Sequence, residues 1–375
     1  MPESLQPELI ELRDAMERFA CDVLKPMAQS LADGTLTPGD ACAQVREASK
    51  TAGFFTMTQP AAFGGSEAGQ LALTVARDTL AAYNSPVSSA VFGPGPGVLA
   101  GVDEPLRSSH LEPLLRGEKR AAFAFTEPDD APHPTQGVID GDFLIINGQK
   151  SYVTGGANAD FINVLVTVVD QGPAMLVLDR DTPGVSIERT FESLDGSHHA
   201  AFRFVDAKVP CARLIGKPGE GLPRAMRQIG DTRLAIAAGA VGQMRWVLDL
   251  LTEHLSAAHA SGEPLGNREG VRLRYADLRI KAYAARSMLY RTARLADSGA
   301  NIVNEGIACK VFSTEALGEI VDTGIQLVGG KALTVGHPLE RLYREVRALR
   351  LAEGASDVLR LNLARGRLEL GKGTL

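Results

Sequence analysis

Aromatic residues make up only 5% of this 375-residue chain, and it has just four cysteines. So few rings leave little with which to stack nucleic-acid bases. Cys21, Cys42, Cys211 and Cys309 lie far apart without a C-x-x-C pair, which argues against a disulfide framework or a zinc ribbon and for reduced thiols. Basic charge is not in excess either. The 39 Lys and Arg against 45 Asp and Glu give a net charge of −6, so no nucleic-acid surface is expected. The longest run of small apolar residues, Leu234 to Gly242, is too short to span a bilayer. Met1-Pro2-Glu3-Ser4-Leu5 carries neither an apolar signal core nor an Arg-rich transit pattern, so the chain is expected to be cytoplasmic. Among seven histidines, His198-His199 is the one adjacent pair, and no H-x-x-x-H spacing supports a metal. A surface turn and no metal are expected there. No G-x-S-x-G elbow or P-loop occurs, and no strand pattern precedes Gly95-Pro96-Gly97, so a Rossmann fingerprint fails on context.

What is present describes an ordinary globular protein, with 45% hydrophobic and 22% charged residues. The hydrophobic pattern falls into three zones. Residues 1–120 read as helical, with Leu9, Leu12, Met16, Phe19 and Val23 spaced by three and four. Residues 121–220 switch to short strand-like runs: Ala121–Phe125, Phe143–Ile146, Phe161–Val168, Met175–Leu178, Val185–Arg189 and Ala201–Val205. Asp140-Gly141-Asp142 and Asn147-Gly148 carry the residue types of hairpin turns. An antiparallel barrel or sandwich follows. Residues 221–375 return to helix in long periodic segments, and the Ala- and Gly-rich centre at Ala235–Ala240 implies close helix contact in a four-helix-bundle-like domain. The order helices, strands, helices makes an α+β chain of three domains.

The chemistry concentrates in three segments. Leu349-Arg350-Leu351-Ala352-Glu353-Gly354-Ala355-Ser356 sets one carboxylate among apolar residues, just before a flexible Gly and a helical pattern. Glu353 is either a solvated loop residue or a base whose pKa is raised by desolvation. At Phe123-Ala124-Phe125-Thr126-Glu127-Pro128 a strand ends in a loop with a hydroxyl and free N–H groups. At Asn147-Gly148-Gln149-Lys150-Ser151-Tyr152-Val153-Thr154 the expected hairpin turn leads to an aromatic ring and a hydroxyl.

In this order the segments resemble the acyl-CoA dehydrogenase family of flavoenzymes. The resemblance extends through Gly117-Glu118-Lys119, Asp181-Thr182-Pro183-Gly184, Phe204–Pro210, Thr232-Arg233, Gln326-Leu327-Val328-Gly329-Gly330, Arg344 and Glu353-Gly354-Ala355-Ser356. It implies helical, β and helical domains and an FAD between the β domain and the C-terminal helices. It implies that Phe125, Thr126, Tyr152, Thr154, Gln326, Gly329 and Gly330 bind the cofactor. Tyr152, where the family has Trp or Phe, would cover a flavin face, and Thr154 would lie near N5. Glu353 would remove the α-proton of an acyl-CoA while the β-hydrogen leaves as hydride. Its own backbone N–H would polarise the thioester carbonyl. Ser197, Arg233 and Gly354 would bind the substrate, with Arg233 near the CoA entrance. An electron-transfer flavoprotein would be the acceptor.

Three departures bear on that expectation. The family's Gly-rich loop after T-E-P is replaced by Asp129-Asp130-Ala131-Pro132-His133-Pro134, where prolines remove N–H donors and carboxylates repel phosphate. Its Gly-x-Arg-x-Ser-x-Thr run becomes Leu194-Asp195-Gly196-Ser197-His198-His199. Ala258 and Ser261 stand where the family has the Arg and Phe of Arg-x-x-Phe-Gly, whose arginine reaches the FAD of a neighbouring subunit. The chain is therefore expected to form either a homo-oligomer or an assembly of unlike subunits sharing flavins. Two further readings stand beside the dehydrogenase: a flavin-poor subunit that completes a partner's site, and an oxidase on the same fold.

Overall fold

The computed structural model describes residues 4–260 and 262–372. Among the described residues the chain order is five α-helices, eight strands and five α-helices. α1 (Pro7–Phe19) runs through a π-helical turn (Ala20–Leu24) into α2 (Lys25–Ala32). α3 (Pro38–Thr51) starts on Thr37, whose Oγ1 accepts from the Asp40 N–H at 3.2 Å, with Pro at the first helical position. α4 (Gln70–Ala81) and the short α5 (Glu112–Arg116) follow, the latter ended by Gly117 at φ 75°. The strands are β1 (Ala121–Ala124), β2 (Gln136–Asp140), β3 (Phe143–Thr154), β4 (Phe161–Val168), β5 (Gly172–Asp179), β6 (Val185–Glu192), β7 (His198–Pro210) and β8 (Leu214–Ile215). α6 (Gly221–Ser256), α7 (Glu269–Asp297), α8 (Val303–Val328), α9 (Pro338–Leu349) and α10 (Ser356–Leu368) complete the chain.

These elements pack into two compact units. One gathers the described residues up to Met57, Ala68–Phe92 and those from Gly230 on, so the first and last helical zones share a unit. The other takes Thr58–Glu67 and Gly93–Ile229, including every strand. The helical unit buries Leu234, Val241, Met244, Val247 and Leu251 of α6 against Leu278 and Leu289 of α7 and Leu317, Ile320 and Val321 of α8. Each such side chain contributes about 1.5–3 kcal/mol. Close helix contact occurs just past the Ala235–Ala240 stretch: a Cβ at Gly242 would strike the Asp78 carbonyl, so α4 and α6 approach closely there, whereas Gly239 within the stretch has open space around its Cβ position. Asp78 itself is fully buried, held by Arg245 at 3.0 Å, Arg286 at 2.9 Å and the Tyr290 hydroxyl at 2.8 Å. Among the described residues α6 is long and apolar enough to cross a membrane, but its apolar side chains line this core.

The sheet order is β6-β7-β3-β2-β4-β5-β8, with β1 also on β4. Most pairs are antiparallel, as expected, but β1 and β2 both run parallel to β4. Asp140-Gly141-Asp142 does close the β2–β3 hairpin, with Gly141 at φ 58°. Asn147-Gly148 does not make a turn. It lies inside β3 at a bulge opposite β7, with Gly148 at φ 145° against the Thr135 backbone. The Asn147 amide donates to Asp206 Oδ1 and accepts from the Asp206 N–H, both at 2.9 Å. The dipeptide's tolerance of unusual backbone serves a bulge instead of a reversal. His198-His199 is not a turn either, since both residues open β7, paired with Glu192 and Phe191 of β6.

Candidate active site

After α9 the chain turns through residues 350–355 into α10, and the Ser356 N–H closes the turn on the Arg350 carbonyl at 2.9 Å. Within it Glu353 sits at φ 54° and Gly354 at φ 108°. A non-glycine residue in the left-handed region stores strain. Two cations secure the turn. Arg233 Nε of α6 donates to the Glu353 carbonyl, and Lys310 Nζ of α8 donates to the Gly354 carbonyl, each at 2.9 Å. Lys310 is fully buried and Arg233 is 7% exposed. Glu353 is half-buried, and burial raises its carboxyl above the ordinary range while Arg233 and Lys310 pull it back. Among the described residues neither its carboxylate nor its backbone N–H makes a hydrogen bond. A strained carboxylate with a free N–H beside it can take a proton and polarise a carbonyl.

In the sheet unit, the loop after β1 is fastened to β3. The Ser151 N–H donates to the Thr126 carbonyl at 2.9 Å, and buried Lys150 donates to the Phe125 carbonyl at 3.0 Å and to Glu127 Oε1 at 2.9 Å. Thr126, Tyr152 and Thr154 are thereby brought to one part of this unit, all exposed. Tyr152 is 61% exposed at φ 53° and meets Phe191 edge-on at 5.2 Å. A polar chain runs beside it. Ser197 Oγ donates to Asp195 Oδ1 at 2.7 Å and lies 2.9 Å from His199 Nε2, while His199 Nδ1 is 3.2 Å from Thr154 Oγ1. With the Ser197 proton committed to Asp195, His199 Nε2 donates and Nδ1 accepts from Thr154. An exposed ring, with the exposed Thr126 and Thr154 in the same part of the unit, suits a flat aromatic cofactor with polar edges.

In the helical unit, Gln326 is exposed on the last turn of α8. Gly329 ends that helix at φ 86°, and open space surrounds Gly329 and Gly330, so a ligand can approach the backbone there. These donor types and open glycines fit FAD in each unit. Asp129, Asp130, Pro132, His133 and Pro134 form an exposed loop. Ala258 is exposed and pairs with Pro264, while Ser261 lies outside the described residues.

The pattern of residues did not single out Lys310, and its signal was present. Ile307, Lys310, Val311, Thr314 and Leu317 recur by three and four on the buried face of α8, so a lysine stands where an apolar residue belongs. Likewise the Lys150–Glu127 pair and the His199 chain join residues distant in sequence.

Models of the acyl-CoA dehydrogenase N-terminal, middle and C-terminal domains match residues 6–118, 122–207 and 219–368. The chain is 30% identical to the mitochondrial isobutyryl-CoA dehydrogenase of Dictyostelium discoideum, over 92% of this chain and 86% of that one. It is 27% identical to the acryloyl-CoA reductase (NADH) of Anaerotignum propionicum, over 97% and 95%. A solved acyl-CoA dehydrogenase structure from Mycobacterium smegmatis superposes with a TM-score of 0.83 at 25% identity, covering 99% of each chain.

Proposed function

The chain belongs to the acyl-CoA dehydrogenase family of FAD-dependent oxidoreductases acting on acyl-CoA, and from that premise we propose that Glu353 is the base of α,β-dehydrogenation. The observation that supports this most is the Glu353 turn. A half-buried carboxylate, raised in pKa by its surroundings, stands on a strained backbone whose two carbonyls are held by cations. The α C–H bond of the thioester breaks, its proton passes to the Glu353 carboxylate, and the pair left behind forms the C–C double bond. The Glu353 backbone N–H donates to the carbonyl oxygen as charge develops there. Bound FAD supplies the acceptor for the β-hydrogen and its electron pair. In the sheet unit Phe125, Thr126, Tyr152 and Thr154 hold the cofactor, and in the helical unit Gln326, Gly329 and Gly330 do. Ser197, Arg233 and Gly354 serve the substrate, Arg233 and Gly354 through the turn they share with Glu353. An electron-transfer flavoprotein takes the electrons onward.

The test is substrate-dependent bleaching of the bound flavin in wild type and Glu353→Gln. The variant is expected to keep its fold and flavin and to lose bleaching by at least about a thousandfold. Bleaching at the wild-type rate sinks the assignment.

A second reading has its own support. The acidic, proline-bearing Asp129–Pro134 loop and Ala258 in place of an arginine weaken phosphate recognition, which suits a subunit that completes a partner's site. Full flavin occupancy and turnover of the chain purified alone would eliminate it.

A further inference from the structure

A buried ammonium is costly, and one hydrogen bond to a neutral carbonyl does not offset its desolvation. Lys310 is fully buried on α8, yet the bond it makes is to the Gly354 carbonyl at 2.9 Å. A neutral donor or a solvated turn would satisfy that carbonyl at less cost. What the lysine adds is charge and reach at one place, the turn bearing Glu353. Arg233 Nε meets the preceding carbonyl at the same distance, so two cations from two helices grip successive peptide units. Between them lie φ values of 54° and 108°, which the chain does not hold unaided. Gly354 is enclosed by the same grip: a Cβ there would come within 3.0 Å of Leu359 and 3.3 Å of Arg233 Nη2.

We infer that Lys310 is a positioning residue for the base: with Arg233 it holds the Glu353–Gly354 turn in the backbone geometry that directs the Glu353 carboxylate and N–H. This rests on the reading of Glu353 as the base. The charges acting on Glu353 are Arg233 on α6 and Lys310 on α8; Glu315, further along α8, is engaged by Arg360 of α10. Lys310 favours the ionised form of Glu353, so its removal shifts the carboxyl upward.

The experiment uses the FAD-loaded protein and an acyl-CoA whose β-carbon carries no hydrogen. Exchange of its α-protons for deuterium, followed by NMR, reads proton removal without hydride transfer. Lys310→Met is expected to slow exchange about tenfold to a hundredfold. Its ligand affinity should change less than about threefold, and its acidic limb should move to higher pH, because positioning is lost while binding is kept. Lys310→Arg, which keeps the cation, should recover most of the rate. If Lys310→Met does not fold, Lys310→Gln, a shorter neutral donor, should show the same shift of the limb. Exchange by the folded neutral variant at the wild-type rate and pH midpoint, with Glu353→Gln inert, overturns the role of Lys310 and leaves the base standing. Exchange by Glu353→Gln at the wild-type rate overturns the base itself.

Discussion

Lys150 in the sheet unit and Lys310 in the helical unit are both buried, and each ties down a segment carrying residues of the candidate site. Their electrostatic settings differ. Lys150 shares Glu127 Oε1 at 2.9 Å, so its charge is met locally and its effect on the Thr126 loop is mechanical. Glu127 in turn accepts from the Thr135 N–H at 2.9 Å, and its carboxyl is lowered below the ordinary range by Lys150 and Thr135 against the upward push of burial. Lys310 instead donates to a carbonyl, and a carboxylate whose field it feels is Glu353. One lysine is neutralised and braces; the other bonds a neutral carbonyl, with the Glu353 carboxylate in its field. A buried cation therefore informs about function through what lies across from it.

The comparison can be broken most sharply by pH. Burial first, then Arg233, lower Lys310 to about 8, against the upward pull of Glu353 and Glu315. Between pH 8 and the unfolded value of 10.5 the unfolded chain holds a proton that the folded chain has released. Stability gained from this group therefore rises with pH across that window, by on the order of 3 kcal/mol. Urea denaturation should show Lys310→Met lacking that rise relative to wild type. Parallel curves for the two proteins would mean that Lys310 is not desolvated as its burial indicates.

Next in size is Lys150→Met, expected to cost about 2–3 kcal/mol at pH 7 because Glu127 loses its cation. The cost falls short of a fully buried pair since the Glu127 side chain is 30% exposed. At the same pH Lys310→Met should stay within about 1 kcal/mol of wild type, because it removes a desolvated charge with no bonded carboxylate. Equal losses would erase the distinction between the two regions. Gly354→Ala should cost about 1–2 kcal/mol through its φ of 108° and the contacts of the new Cβ, with turnover falling further than stability. Thermal melts alongside turnover separate the two effects. The smallest change is expected from His199→Leu, which cuts the link to Thr154 at 3.2 Å. Stability should move by about 1 kcal/mol or less, while the visible band of the bound flavin shifts. An unshifted band would remove Thr154 from the cofactor's neighbours.

Much of this was legible in the chain itself. Phe161–Val168 alternates and runs apolar between turn residues, and it folds as β4 over those same residues. The periodic pattern that resumes at residue 221 marks α6, but the place where α4 approaches it, at Gly242, follows only from the packing. Asn147-Gly148 was misleading because the same backbone freedom serves a bulge and a reversal, and only the pairing with β7 decides between them. Glu353 was visible as a carboxylate in an apolar stretch. Its left-handed backbone was not, because strain of that kind persists only where distant groups hold it.

Local pattern thus determined most of the succession of helices and strands, while the family and the candidate base came from the resemblance carried by the ordered motifs. Propensity, periodicity and turn chemistry act over a few residues and are written in the chain. The tertiary structure decided what surrounds Glu353. Arg233 and Lys310 lie 120 and 44 residues, respectively, from the carbonyls they hold. Desolvation and Coulomb forces depend on distance in space, so the state of Glu353 is set only once α6, α8 and its turn have packed together.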